Sequence, residues 1–120
     1  MDIACFSVAA IDIYPQQGKH YPGGNALNQA VRFGQMGHHS AFVGALGADF
    51  AGDQLTALLM AESVDVSHMH RVRGRTATNQ ITVDETGERY GVEGAWNGGV
   101  CEQFVCESVR SVVSLAWYDD

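Results

Sequence analysis

The sequence predicts an α/β fold: a parallel sheet with flanking helices and a small β-hairpin set apart from it. Three observations carry this reading. Strand-like apolar runs at 3–13 and 40–46 alternate with helical patterns at 25–36 and 49–63. That order demands parallel strands joined by crossover helices. After residue 75 the pattern shifts to alternating threonine and apolar positions around a turn, which signals a hairpin. At 120 residues the chain is one domain or part of one.

Residues 3–13 are rich in small and β-branched side chains and read as one buried strand, with Asp12 interrupting near its end. Pro15 and Pro22 bound a loop or short edge strand. Residues 25–36 place Ala26, Ala30 and Phe33 on one helical face, and Gly37 supplies the stop. Residues 40–46 form a second buried strand. In 49–63, Ala51, Leu55, Leu58 and Leu59 follow the helical period and Glu62 marks the polar edge. Residues 76–83 and 88–92 flank Asp84-Glu85-Thr86-Gly87 as a hairpin. Its faces are both partly polar, so it fits either a flap over a site or a plain edge hairpin. A short helix is expected at 102–109 and a further buried strand at 111–117.

Hydrophobic residues make up 46% and charged residues 18%, enough for a packed core. The formal net charge of -7 argues against nucleic-acid partners and against a polybasic membrane contact. No apolar run is long enough to span a bilayer. The N-terminus reads directly as a strand, without a basic leader. Cys5, Cys101 and Cys106 are odd in number and form no CxxC pair, so a reducing, cytoplasmic setting is expected.

The chemistry concentrates in Gly23-Gly24-Asn25-Ala26-Leu27-Asn28-Gln29-Ala30. Glycines let a ligand approach the backbone, and a helix start offers free N–H groups. Asparagine brings both a donor and an acceptor, which suits a hydroxylated ligand. A tight turn capped by Asn25 would explain the same residues. The spacing from this motif to Gly37 and Gly47 resembles the N-terminal signature of the PfkB family of carbohydrate kinases, the ribokinase-like fold. The run from Gly44 to Gly52, with Gly47, Asp49 and Gly52 in place, resembles that family's second strand-turn-helix segment. Residues 11–15 and 64–70 look most like the fructoselysine 6-kinase branch.

The resemblance implies an ATP- and Mg²⁺-dependent transfer of the γ-phosphate to a sugar hydroxyl. It implies that Asp12 accepts hydrogen bonds from the sugar, that Gly23 and Gly24 let it lie against backbone, and that Asn28 bonds its hydroxyls. Asn25 falls at a variable position of the signature. Without the resemblance, Asp12 reads first as a strand-end cap. The elements at about 13–22 and 75–95 match a small β-lid that covers the sugar and pairs with a second copy. The expected ligand is a sugar or sugar–amine adduct.

The family's C-terminal Gly-Ala-Gly-Asp segment, which supplies the anion hole and the catalytic base, is not found in these 120 residues. Members run to roughly twice this length or more. Residues 1–120 are therefore expected to be a partial domain without the ATP-binding half, inactive alone. No catalytic, cofactor-binding or metal-binding residue is assigned, and Asp49, Asp53, Asp119 and Asp120 are not taken as the base. The alternative is a non-catalytic sugar-binding or lid-dimerisation module from a truncated gene. A nicotinamide oxidoreductase would need a GxGxxG turn after the first strand, where residues 15–22 stand instead.

The remaining clusters read structurally. His38, His39, His68 and His70 show no metal-ligand spacing. Arg71, Arg73 and Arg75 alternate; they read as a solvated edge or as a face meeting an anion. The cysteines read as buried small hydrophobes.

Overall fold

The computed structural model describes residues 1–102. The expected helix at 102–109, beyond Glu102, and the strand at 111–117 lie outside the described residues. Strand β1 (Asp2–Ser7) pairs in parallel with β4 (His39–Gly47), which pairs in parallel with β5 (His70–Val72). Helices α1 (Asn25–Gln35) and α2 (Phe50–Ala61) make the crossovers. The core joins Phe42 and Leu46 of β4 to Leu27 and Ala30 of α1 and Leu55 and Leu59 of α2. From Ser40 to Gly47, β4 is buried throughout, as the central strand of a parallel sheet must be.

The first expected strand is in fact two. β1 ends at Ser7 and β2 (Ala10–Tyr14) enters a different sheet. The break at Val8 and Ala9 has a clear cause. The Val8 carbonyl accepts hydrogen bonds from the Ala26 and Leu27 N–H groups, both at 3.2 Å. These are among the donors that a helix start leaves unpaired. A carbonyl turned toward a helix cannot also serve a sheet ladder.

The second sheet runs β3-β2-β6-β9, with β3 at Lys19–Gly23, β6 at Ala77–Gln80 and β9 at Trp96–Asn97. Pro22 is tolerated because β3 is an edge strand. The expected long hairpin is much shorter than its pattern suggested. β6 belongs to the second sheet, and only β7 (Thr82–Val83) and β8 (Arg89–Tyr90) pair across the turn. The split falls at Ile81, whose N–H donates to the Ile13 carbonyl at 2.7 Å. The turn itself is held by Asp84, whose carboxylate accepts from the Thr86 and Glu88 N–H groups and the Thr86 hydroxyl.

Both helices end in the same way. After α1, the His38 N–H returns to the Phe33 carbonyl with Gly37 at a φ of 90°. After α2, the Val64 N–H returns to the Leu59 carbonyl with Ser63 at 59°. These are the bonds of a Schellman closure, which favours glycine at the left-handed position. No helix among the described residues is long and apolar enough to cross a membrane.

Candidate functional site

Asp12 lies in β2, opposite Tyr21 of β3 on one side and Asn79 of β6 on the other. Asn79 lies opposite Trp96 of β9. Paired residues point to the same side of a sheet, so Tyr21, Asp12, Asn79 and Trp96 form one row across all four strands. Tyr14, two residues after Asp12, shares that face. Its ring meets Tyr21 edge to face, with centroids 5.6 Å apart. Tyr21 and Trp96 are 46% and 42% exposed, so the row is open to a ligand.

Gly23 belongs to this face because of Asp12. A Cβ at Gly23 would stand 2.5 Å from Asp12 Cγ and 2.6 Å from Oδ1. The carboxylate occupies the volume that any side chain at 23 would need. Gly24 answers a different constraint. Its φ is 96°, and a Cβ there would lie 2.5 Å from the Val8 carbonyl oxygen. It holds the N-cap position of α1, with no side-chain cap bond. The turn is therefore capped by the Val8 carbonyl, not by Asn25, which is the exposed first residue of the helix.

Burial pushes the Asp12 carboxyl above the usual carboxylate range, and the charge of Arg89 partly opposes that. No hydrogen bond within the described residues stabilises this carboxylate. A half-buried carboxylate without donors is incomplete, because polar groups leaving water need partners. Arg89 approaches from β8, and its Nη1 donates to the Tyr14 hydroxyl at 2.9 Å.

Thus Asp12, Gly23 and Gly24 come together. Asn28 lies further along α1, where its N–H donates to the Gly24 carbonyl at 3.0 Å. Its side chain is exposed in an open groove with Tyr21, Pro22 and Leu27, and no hydrogen bond joins it to Asp12. Asn79, Trp96, Tyr14 and Arg89 were not singled out from sequence. Tyr14 follows from the period of β2 alone; the place of the other three depends on pairing between segments more than 60 residues apart, which the alternation at 76–83 hinted at but could not align.

The second glycine segment is structural. Asp49 caps α2: its carboxylate accepts from the Gly52 N–H at 2.8 Å, the Thr76 N–H at 2.9 Å and the Thr76 hydroxyl at 2.7 Å. Burial alone would raise this carboxyl, but the Thr76 and Gly52 bonds and the Arg71 charge together hold it below the usual range. A Cβ at Gly52 would collide with the Gly47 carbonyl oxygen. Arg71 does not wait for an anion. Its Nη2 meets Asp53 at 2.6 Å and its Nε donates to the Gly47 carbonyl at 3.0 Å. Arg73 and Arg75 are exposed and lie outside the strands. Of the cysteines, Cys5 is buried and its thiol is pushed up by that burial. The side chain of Cys101, and Cys106, lie outside what the structure describes.

A parallel α/β body beside a small second sheet is the architecture of ribokinase-like sugar kinases. The chain belongs to the pfkB family of carbohydrate kinases, whose family model matches residues 1–98. It is similar to the fructoselysine 6-kinase of Escherichia coli strain K12, at 35% identity over 91% of this chain and 40% of that one. It is also similar to the fructosamine kinase FrlD of Bacillus subtilis strain 168, at 38% identity over 66% of this chain and 28% of that one. The structure of a fructokinase with bound ATP from Xylella fastidiosa superposes with a TM-score of 0.65 at 30% identity, covering 76% of this chain and 32% of that chain. The chain spans less than half the length of the curated relatives it matches.

Proposed function

We propose that residues 1–120 form the sugar-binding side of a kinase that transfers the ATP γ-phosphate to a hydroxyl of fructoselysine or a similar sugar–amine adduct. The observation that carries this is the Asp12 carboxylate, packed on Gly23 with no hydrogen-bond donor among the described residues. Sugar hydroxyls are the missing donors. Asn28 adds a donor and an acceptor, Gly24 offers its backbone at the helix start, and Asn25 stands at the rim. The aromatic rings of the row flank the sugar, and their polar neighbours fix its orientation. A site built this way rejects analogues that lack the hydroxyls, since Asp12 would stay unpaired.

ATP supplies the phosphoryl group, and Mg²⁺ neutralises charge during transfer. Among the described residues, no group of three or more His, Cys, Asp or Glu side chains could hold a metal ion. Asp49 and Asp53 are committed to a helix cap and to Arg71, so neither serves as the base. The chain's own residues bind and orient the acceptor; activating its hydroxyl falls to residues outside 1–120, and the chain alone does not turn over ATP. We read the second sheet, residues 10–23 and 77–97, as a lid that pairs with a second copy, and the setting as cytoplasmic.

Calorimetry with fructoselysine, fructose and glucose tests the sugar site. We expect binding of fructoselysine, weakened at least tenfold in Asp12→Ala, consistent with loss of charge-assisted hydrogen bonds worth about 1.5–3 kcal/mol. No heat from any of the three sugars would overturn the reading. A second reading, a sugar-binding or lid-pairing module without phosphotransfer, is favoured by the commitments of Asp49 and Asp53. Sugar-dependent ATP turnover by the 120-residue chain would exclude it and would also refute the expected inactivity.

A further inference from the structure

Arg89 is a cation bordering the Asp12 face, close enough for its charge to act on Asp12 but in no salt bridge among the described residues. It lies in β8, on the hairpin that follows β6, and reaches the Tyr14 hydroxyl at 2.9 Å. Tyr14 shares its strand face with Asp12 and leans on Tyr21, the residue opposite Asp12. The guanidinium therefore borders the site from the hairpin side. Among the described residues it makes no ion pair, although the acidic residues outnumber the basic ones two to one, 14 against 7. Arginine carries five N–H donors in a planar fork, and the contact with Tyr14 occupies one. The others match a carboxylate bidentately. Arg71, by contrast, is held by several contacts and is already paired with Asp53.

We infer that Arg89 is a specificity-determining residue that takes a carboxylate borne by the substituent of the sugar. The ligand class of the site is then a sugar–amino acid adduct, in preference to a neutral sugar. The inference rests on the reading of the Asp12 face as the sugar site. In it, Asp12 and its row hold the sugar ring while Arg89 holds the acid of the amino acid. Tyr14 positions the guanidinium and keeps it from folding onto Asp12.

The test compares three ligands: fructoselysine, the fructose adduct of 1,5-diaminopentane, and fructose. The second differs from the first only by lacking the carboxylate. Calorimetry is run on the 120-residue chain, on Arg89→Gln and on Arg89→Lys. The native chain is expected to favour fructoselysine over the diaminopentane adduct by about tenfold or more, the scale of a charge-assisted bidentate contact. Arg89→Gln should abolish that preference; Arg89→Lys should keep part of it. Equal binding of the two adducts by the native chain, or a preference that survives in Arg89→Gln, would overturn the inference while fructose binding upheld the sugar site. Failure of the native chain to bind all three would overturn both.

Discussion

Replacing Gly23 with alanine separates the needs of the site from the needs of the fold. The new Cβ would stand 2.5 Å from Asp12 Cγ, where ordinary carbon contacts lie at about 3.5–4.0 Å. The carboxylate must retreat by about 1 Å. It can do so, because it is half-buried and no hydrogen bond within the described residues anchors it. The fold then loses only about 0.5–1.5 kcal/mol, the cost of a distorted rotamer. That is a fall in Tm of several degrees for a domain near 100 residues. Ligand binding suffers more, since Asp12 no longer meets the sugar at hydrogen-bond distance; a loss of about 10–100-fold is expected. Gly24→Ala should do the opposite. Its Cβ meets main chain, 2.5 Å from the Val8 oxygen and 2.8 Å from Ala9 Cα, at a φ of 96°. Nothing there can swing away, and the variant should lose several kcal/mol or fail to fold. The assay pairs calorimetry with fructoselysine and thermal melts on each variant. Native affinity in Gly23→Ala, or the same melting behaviour in both variants, would refute the reasoning.

Asp49→Ala removes a helix cap and two bonds to Thr76, and should cost about 2–3 kcal/mol in urea unfolding. Because the Asp49 carboxyl is held below its ordinary value, its contribution is present above the unfolded carboxyl pKa and is lost as pH falls through the lowered folded value; Asp49→Asn should flatten that part of the acid limb of the stability profile. Asp12 has the opposite sign. Its raised pKa should make fructoselysine affinity decline on acidification from above the usual carboxylate range, and Arg89→Gln should move that decline to still higher pH, as calorimetry across pH would record. Ser63→Gly relieves a left-handed φ of 59° at the end of α2 and should stabilise the chain by about 0.5–1 kcal/mol in the same urea assay.

Local signals carried much of this into the sequence. Gly37 ends α1 where its left-handed closure requires, and Asp49 stands where α2 needs a cap. The alternation of strand and helix gave the parallel sheet, because a crossover unit writes its whole pattern within a few dozen contiguous residues. Asp12 and the glycine pair were singled out by the resemblance to the family signature, and the structure sets Asp12 against Gly23. Long-range facts were not. Residues 3–13 look uniformly apolar, and only the position of α1 explains why the Val8 carbonyl leaves the ladder. Likewise Asn79 and Trp96 look like ordinary strand residues until register sets them beside Asp12. Arg71 and Arg89 are indistinguishable by composition; one is bound to Asp53 and the other faces Tyr14.

The Val8 carbonyl has one more implication. Its two bonds to Ala26 and Leu27 join main chain to main chain, and the glycine that makes room for them has no side chain at all. Side chains at 8, 26 and 27 are thus free to drift in identity, so long as they still pack, without shifting Asp12 relative to the helix start. The anchor of the site is written in backbone, and the side chains of the face it supports can change without moving it.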